Sequence, residues 1–250
     1  MINRKNSTVI INGNKSVFWA HYHDIFQMCQ NGNESIHERV QNYLEEKDLL
    51  LRHYSLANIP EKYFPFEIDR LKMKWATIEA NSVAIANIER YLNSLDQALK
   101  LGIGLYIYGP HGVAKTTLST IILKKAIQHY YRGFFYKSAE IVEFARAGWK
   151  NEDKAAFYEY LNSNIDFLVI DDLARLLDAN SGEKLYIDKI FAKRDDMNLP
   201  TIITSNKTVE EIKTHFGEAL YSNFKERLIP INLIGDDYRD TIGDTLLEKL

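Results

Sequence analysis

The eight residues Gly109-Pro110-His111-Gly112-Val113-Ala114-Lys115-Thr116 constrain this chain more than any other stretch. They follow an apolar run, Leu105-Tyr106-Ile107-Tyr108, and open a helical pattern from Thr117 to about Gln128. A strand that enters a glycine-rich turn and leaves as a helix aims consecutive backbone N–H groups inward, where they cradle phosphate oxygens. In such a loop Lys115 reaches the β- and γ-phosphates of a nucleotide, and the Thr116 hydroxyl binds Mg²⁺. Ala114 departs from the usual pattern, in which a Gly precedes the Lys; its methyl restricts the backbone and crowds the phosphate side.

Four further apolar runs follow the first: Gly133-Phe134-Phe135-Tyr136, Phe167-Leu168-Val169-Ile170, Thr201-Ile202-Ile203-Thr204 and Pro230-Ile231-Asn232-Leu233-Ile234. In the last of these, Pro230 suits the first residue of a strand. Helical stretches separate the runs. Continuous apolar strands alternating with helices predict a parallel sheet buried on both faces, hence an α/β core of five parallel strands flanked by helices.

Ligands of such sheets sit outside the carboxyl ends of the strands. The third run ends in Asp171-Asp172 and the fourth in Ser205-Asn206. Asp171 is placed to hold Mg²⁺ and Asp172 to orient an attacking water, with a helix cap or a solvated turn as the alternative. Asn206 is placed to hydrogen-bond the γ-phosphate or that water; alternatively, Asn206 or Thr208 starts the helix Val209–Thr214. Phosphoryl transfer also calls for positive charge on the transition state, often an Arg from a neighbouring molecule. Arg227, in Glu226-Arg227-Leu228, is the first candidate and Arg239 the second, each with a surface salt bridge as its alternative.

Upstream, Thr8-Val9-Ile10-Ile11, Asn12-Gly13 and Val17-Phe18-Trp19 suit a β-hairpin, and a helix from Ser16 is the competing reading. Helical spacing runs from Glu34 to about His53 and again from about Asn81 to Leu101, where Gly102 provides the stop. Ile59-Pro60 and Phe64-Pro65 favour extended backbone. These features divide the chain into an N-terminal region (1–55), a linker (56–80) and a domain that carries the phosphate loop (81–250). His21, His23, Cys29 and His37 cluster without a zinc-type pair spacing, so ordinary helical polar residues explain them better.

Composition narrows the class further. A 46% hydrophobic, 26% charged chain is neither collagen-like nor wholly disordered. One Cys forms no internal disulfide, and the polar start Met1-Ile2-Asn3-Arg4-Lys5 is no secretory signal, so a cytoplasmic, membrane-free protein is expected. The net charge of −3 argues against broad coating of duplex DNA. It leaves room for a locally basic surface, with Lys124, Lys125, Arg132, Lys137, Arg146 and Lys150 as candidates, and for base stacking by aromatics among Tyr130–Tyr136.

Taken in order, the phosphate loop, Leu168-Val169-Ile170-Asp171-Asp172-Leu173, Thr201 to Asn206 and Glu226-Arg227-Leu228 resemble the motifs of one AAA+ ATPase group, the DnaC/DnaI helicase loaders and IstB. The resemblance covers residues 56–240. It implies ATP and Mg²⁺ as cofactors. Gly109 to Thr117, including Pro110, His111, Val113 and Thr117, would bind nucleotide; Thr116 and Asp171 would hold the metal. Asp171, Asp172 and Asn206 would serve catalysis, Arg227 would act in trans, and Arg239 would be a sensor-2-type arginine. It also implies no separate helical lid, self-association into a ring or spiral, residues 1–55 as the partner-binding region and 81–250 as the ATPase domain. The spacing upstream gives a small, mainly helical N-terminal region that matches no known loader N-domain, and Asp172, where many AAA+ ATPases carry Glu, points to slow hydrolysis. The partners would be a replicative hexameric helicase and single-stranded DNA. An IstB-like helper of a DNA transposase is the alternative.

Overall fold

The computed structural model describes residues 8–11, 14–17, 36–75, 78–141, 143, 152–176 and 181–237. They fall into two compact units. One comprises the chain up to Leu56 together with Pro60–Pro65; the other comprises Ala57–Ile59 and the chain from Phe66 onward.

In the first unit, β1 (Thr8–Ile11) pairs antiparallel with β2 (Asn14–Val17), Thr8 opposite Val17 and Ile11 opposite Asn14. The hairpin therefore prevails over a helix from Ser16. Helix α1 (Ile36–Leu56) follows, and the buried Tyr54 ring meets Phe64 edge-on with centroids 5.6 Å apart. Phe64 is helical (φ −57°, ψ −43°) despite the following proline, because its N–H closes a short turn, Glu61–Tyr63, onto the Glu61 carbonyl at 3.0 Å. That bond outweighs the pre-proline preference for extended backbone. His21, His23, Cys29 and the His37 side chain lie outside the described residues, so the zinc reading does too; among the described residues no metal-type cluster occurs.

The second unit contains more helix than the linker reading anticipates. Ile68–Trp75 forms helix α2, since Ile68, Leu71 and Trp75 share one face and Leu71 and Trp75 are buried. The long helix expected over 81–101 is two helices, α3 (Ser82–Leu92) and α4 (Leu95–Leu101). Ser94 leaves helical backbone (φ −129°) while its carbonyl accepts from Ala98 N, restarting the chain in a new direction. Gly102 ends α4 in the left-handed region (φ 67°), as its position suggests.

The sheet then builds in regular alternation. Strand β3 (Gly104–Tyr108) leads to α5 (Lys115–Gln128), and β4 (Gly133–Lys137) is followed by α6 (Glu152–Ser163). Next come β5 (Phe167–Asp171), α7 (Ser181–Asp196) and β6 (Thr201–Ser205). Helices α8 (Val209–Phe216) and α9 (Glu218–Arg227) precede β7 (Leu228–Asn232). The order is β4-β5-β6-β3-β7, with every pairing parallel. Strands β5 and β6 are buried along their full length, which explains their unbroken apolar runs. The last strand starts at Leu228, two residues before Pro230, which pairs with Tyr106. Strand β7 is an edge strand, where a missing N–H is tolerated.

One buried cation ties β5 to β6 at their amino ends. Arg194 is 1% exposed and donates to the carbonyls of Leu161, Ile165, Asp166 and Pro200 and to Thr201 Oγ1. Burial pulls its guanidinium down to about 9. The parallel order gathers the carboxyl ends of β3, β6 and β5 along one edge, with β6 in the middle. Among the described residues no helix is long and apolar enough to cross a membrane.

Candidate phosphate-binding site

The loop after β3 has the backbone that a phosphate cradle requires. Gly109 (φ 147°) and Gly112 (φ 78°) occupy conformations that disfavour side chains. A Cβ on Gly109 would lie 2.0 Å from the Leu233 carbonyl oxygen. Ala114 takes φ 67°, ψ 26°, the value expected of the Gly it replaces. Its methyl therefore does not prevent the loop; it costs about 1–2 kcal/mol of backbone strain. Val113 is buried, Pro110 and His111 are exposed, and Thr117 is half-buried. Lys115 Nζ folds back onto the loop, donating to the carbonyls of Gly109 (2.9 Å) and Pro110.

Asp171, at the end of β5, is the hub. Its Oδ1 accepts from Thr116 Oγ1 at 2.8 Å and from Thr204 Oγ1 at 2.6 Å. Thr204 Oγ1 in turn accepts from the Asp172 N–H at 2.9 Å. Burial holds the Asp171 carboxyl above the usual carboxylate range; the hydroxyls of Thr204 and Thr116 and the Lys115 charge pull the other way, while Asp172 pushes up. In the sequence Thr204 stands only as part of a strand. Its signal is a hydroxyl in the last residues of a strand buried on both faces, where an unpaired polar group would be costly.

Asp172 sits next to this hub, with its side chain engaged by a neighbouring arginine. It is left-handed (φ 58°), its carbonyl accepts from Ser138 Oγ at 2.8 Å, and its carboxylate accepts from Arg175 Nε at 2.6 Å. Arg175, exposed and three residues along, carries no motif that marks it in the sequence. Asn206, after β6, places Nδ2 2.9 Å from His111 Nε2, so the β6 end touches the phosphate loop. Its Oδ1 is buried and has no hydrogen-bond partner among the described residues. The helix cap falls to Thr208, which forms a reciprocal capping box with Glu211.

The site thus brings together the loop residues, Asp171, Thr204 and Asn206. Arg227 is elsewhere: it precedes Leu228, which pairs with Gly104 at the opposite end of β3 from the loop. There Arg227 is ion-paired with Asp195 and donates to Leu101 O (3.1 Å) and Asn198 Oδ1 (3.2 Å). Arg146, Lys150 and the tail from Tyr238 onward, Arg239 included, lie outside the described residues. Of the basic candidates, Lys124 is interior, bonded to the Phe66 carbonyl and facing Glu67. Arg132 pairs with Asp166 and Lys137 with Glu140. Among the aromatics Phe135 and Tyr136 are core, whereas Tyr130 is 97% exposed.

The donor set fits a nucleoside triphosphate with its divalent cation: an inward loop with a Lys, a hydroxyl and a carboxylate in contact, and a buried amide oxygen lacking a donor. A family model described as IstB-like ATP binding protein matches residues 90–232, more than half of the chain. The replicative helicase loader DnaI of Bacillus subtilis (strain 168) is 26% identical over 167 residues, which are 61% of this chain and 52% of that protein. The chain therefore spans about half the length of this curated relative. The crystal structure of the DnaC helicase loader superposes with a TM-score of 0.60 at 20% identity, over 70% of this chain and 100% of that one. The replication initiator DnaA bound to AMPPCP and single-stranded DNA superposes with a TM-score of 0.54 at 19% identity, over 67% and 51%. The AAA+-type P-loop fold is common to them.

Proposed function

This chain belongs to the IstB-like ATP binding protein family, and we propose that it is an ATPase that loads a replicative DNA helicase onto single-stranded DNA. The observation that carries the ATPase part is the Thr116–Asp171–Thr204 hub beside Lys115. In this reading Lys115 exchanges its bonds to the Gly109 and Pro110 carbonyls for β- and γ-phosphate oxygens. Thr116 and Asp171 hold Mg²⁺, which neutralises phosphate charge when bound. The unpartnered Asn206 Oδ1 accepts a hydrogen bond from the attacking water. Asp172 is tied to Arg175, so it orients that water only after leaving the pair, consistent with slow turnover.

Arg227 lies at the far end of β3 from its own phosphate loop, which supports action on a neighbouring subunit in a ring or spiral. Arg239 would complete the nucleotide site. The N-terminal region, residues 1–55, would grip the helicase, and the linker 56–80 would join it to the ATPase domain. The loader role draws on the likeness to the helicase loaders DnaI and DnaC, and single-stranded DNA on the DnaA complex.

The second reading is a transposase helper that acts on duplex DNA. The acidic net charge of −3 favours the loader. Gel shifts on single-stranded and duplex DNA, with ATP and a salt titration, separate the two. The loader binds single strands and co-purifies with the helicase; preference for duplex without helicase binding overturns it.

A further inference from the structure

The stretch after β7 runs across the phosphate loop. Leu233 N donates to the Tyr108 carbonyl at 2.8 Å, and the Leu233 carbonyl fills the space beside Gly109. Four residues on, Asp237 is seated on Gly112: a Cβ there would lie 1.7 Å from Asp237 Oδ1 and 2.6 Å from its Cα. Between these points the chain is pinned from outside the sheet. Asn81 Nδ2 donates to the Ile234 carbonyl at 2.8 Å, and Asn81 Oδ1 accepts from the Ile234 N–H at 2.9 Å. Asn81 is wholly buried and stands at the N-cap of α3, yet its side chain makes no bond to that helix. Both ends of its amide go to Ile234.

We infer that Leu233–Asp237 is a strap which Asn81 positions across the loop, and that Asp237 on it tunes nucleotide affinity and the preference between ATP and ADP. The inference rests on the reading of the loop as an ATP site. A carboxylate against Gly112 lies within a few ångströms of where the loop's N–H groups gather phosphate. Like charges at that range repel, and the repulsion grows with the number of phosphates. The strap therefore weakens ATP binding more than ADP binding for as long as it is pinned. Moving the strap, by a partner or a neighbouring subunit, would tighten ATP.

The test is equilibrium binding of fluorescent ATP and ADP analogues to full-length wild type and Asp237→Asn. The variant should bind the ATP analogue about fivefold tighter or more, with a smaller gain for ADP, both shrinking in high salt. In an Asn81→Ala background, checked for a cooperative melt, the same substitution should change affinity little. Unchanged or weaker ATP binding by Asp237→Asn overturns the inference, and an equal gain in both backgrounds overturns the part assigned to Asn81. Equal binding by both proteins leaves the ATP site standing and removes only the strap's role; no binding by either removes both.

Discussion

Replacing Thr204 by Val removes one oxygen and tests the hub directly. Val has nearly the shape of Thr, so packing around a residue that is 2% exposed is preserved. Two hydrogen bonds are lost, the donation to Asp171 Oδ1 and the acceptance from Asp172 N–H. A bond to a charged group contributes about 1.5–3 kcal/mol, and stranding a buried N–H costs about 1–3 kcal/mol. The added methyl returns about 0.8 kcal/mol. A net loss of about 2–5 kcal/mol follows, or a fall in Tm of roughly 4–20 °C for a chain of this size. The pH dependence sharpens the test. Asp171 holds its proton more tightly folded than unfolded, so the folded state binds more protons in the window between its ordinary and its raised value. Stability therefore falls as pH rises through that window. Thr204→Val removes a bond to the charged form, raises the folded value further and extends the fall to higher pH. Melting curves across pH, with Thr204→Ser as the restoring variant, read both effects. A Val variant that melts within about 2 °C of wild type with the same pH profile would refute the hub.

Asp171→Asn removes a buried charge, so the apo protein should melt higher than wild type at neutral pH while losing ATP turnover. The gain should disappear below the ordinary carboxylate range, as melts at two pH values would show. Arg194→Leu strands the carbonyls of Leu161, Ile165, Asp166 and Pro200, and should lower stability by about 3–5 kcal/mol in urea titrations. A loss under about 1 kcal/mol would show that the amino ends of β5 and β6 do not depend on this residue. Arg227→Ala should bind ATP normally yet turn over poorly, and mixing it with Lys115→Ala should restore activity. Failure of the mixture would argue against action in trans.

The parts legible in the sequence are those in which one residue type serves a local demand. Gly109 and Gly112 take backbone values that glycine alone adopts freely, and the runs ending in Asp171 and Ser205 are apolar because both faces of the sheet are covered. The missed parts depend on residues distant in sequence. The partner of Thr204 lies one strand away, and Lys124 reads as a surface charge until the Phe66 carbonyl is brought to it. The helix Ile68–Trp75 is masked in the sequence because the neighbouring prolines dominate its segment, whereas burial of Trp75 decides the outcome. The split at Ser94 is the exception, local in origin yet silent, since the apolar spacing continues across it.

The most direct test of the proposed role is a loading assay with circular single-stranded DNA and the cognate replicative helicase. Helicase retained on the DNA would be counted after a salt wash, with wild type and Lys115→Ala, with and without ATP. Wild type should deposit helicase only with ATP, and Lys115→Ala should deposit none. Deposition that is indifferent to ATP and to Lys115, or absent with wild type under every condition, would contradict an ATP-driven loader.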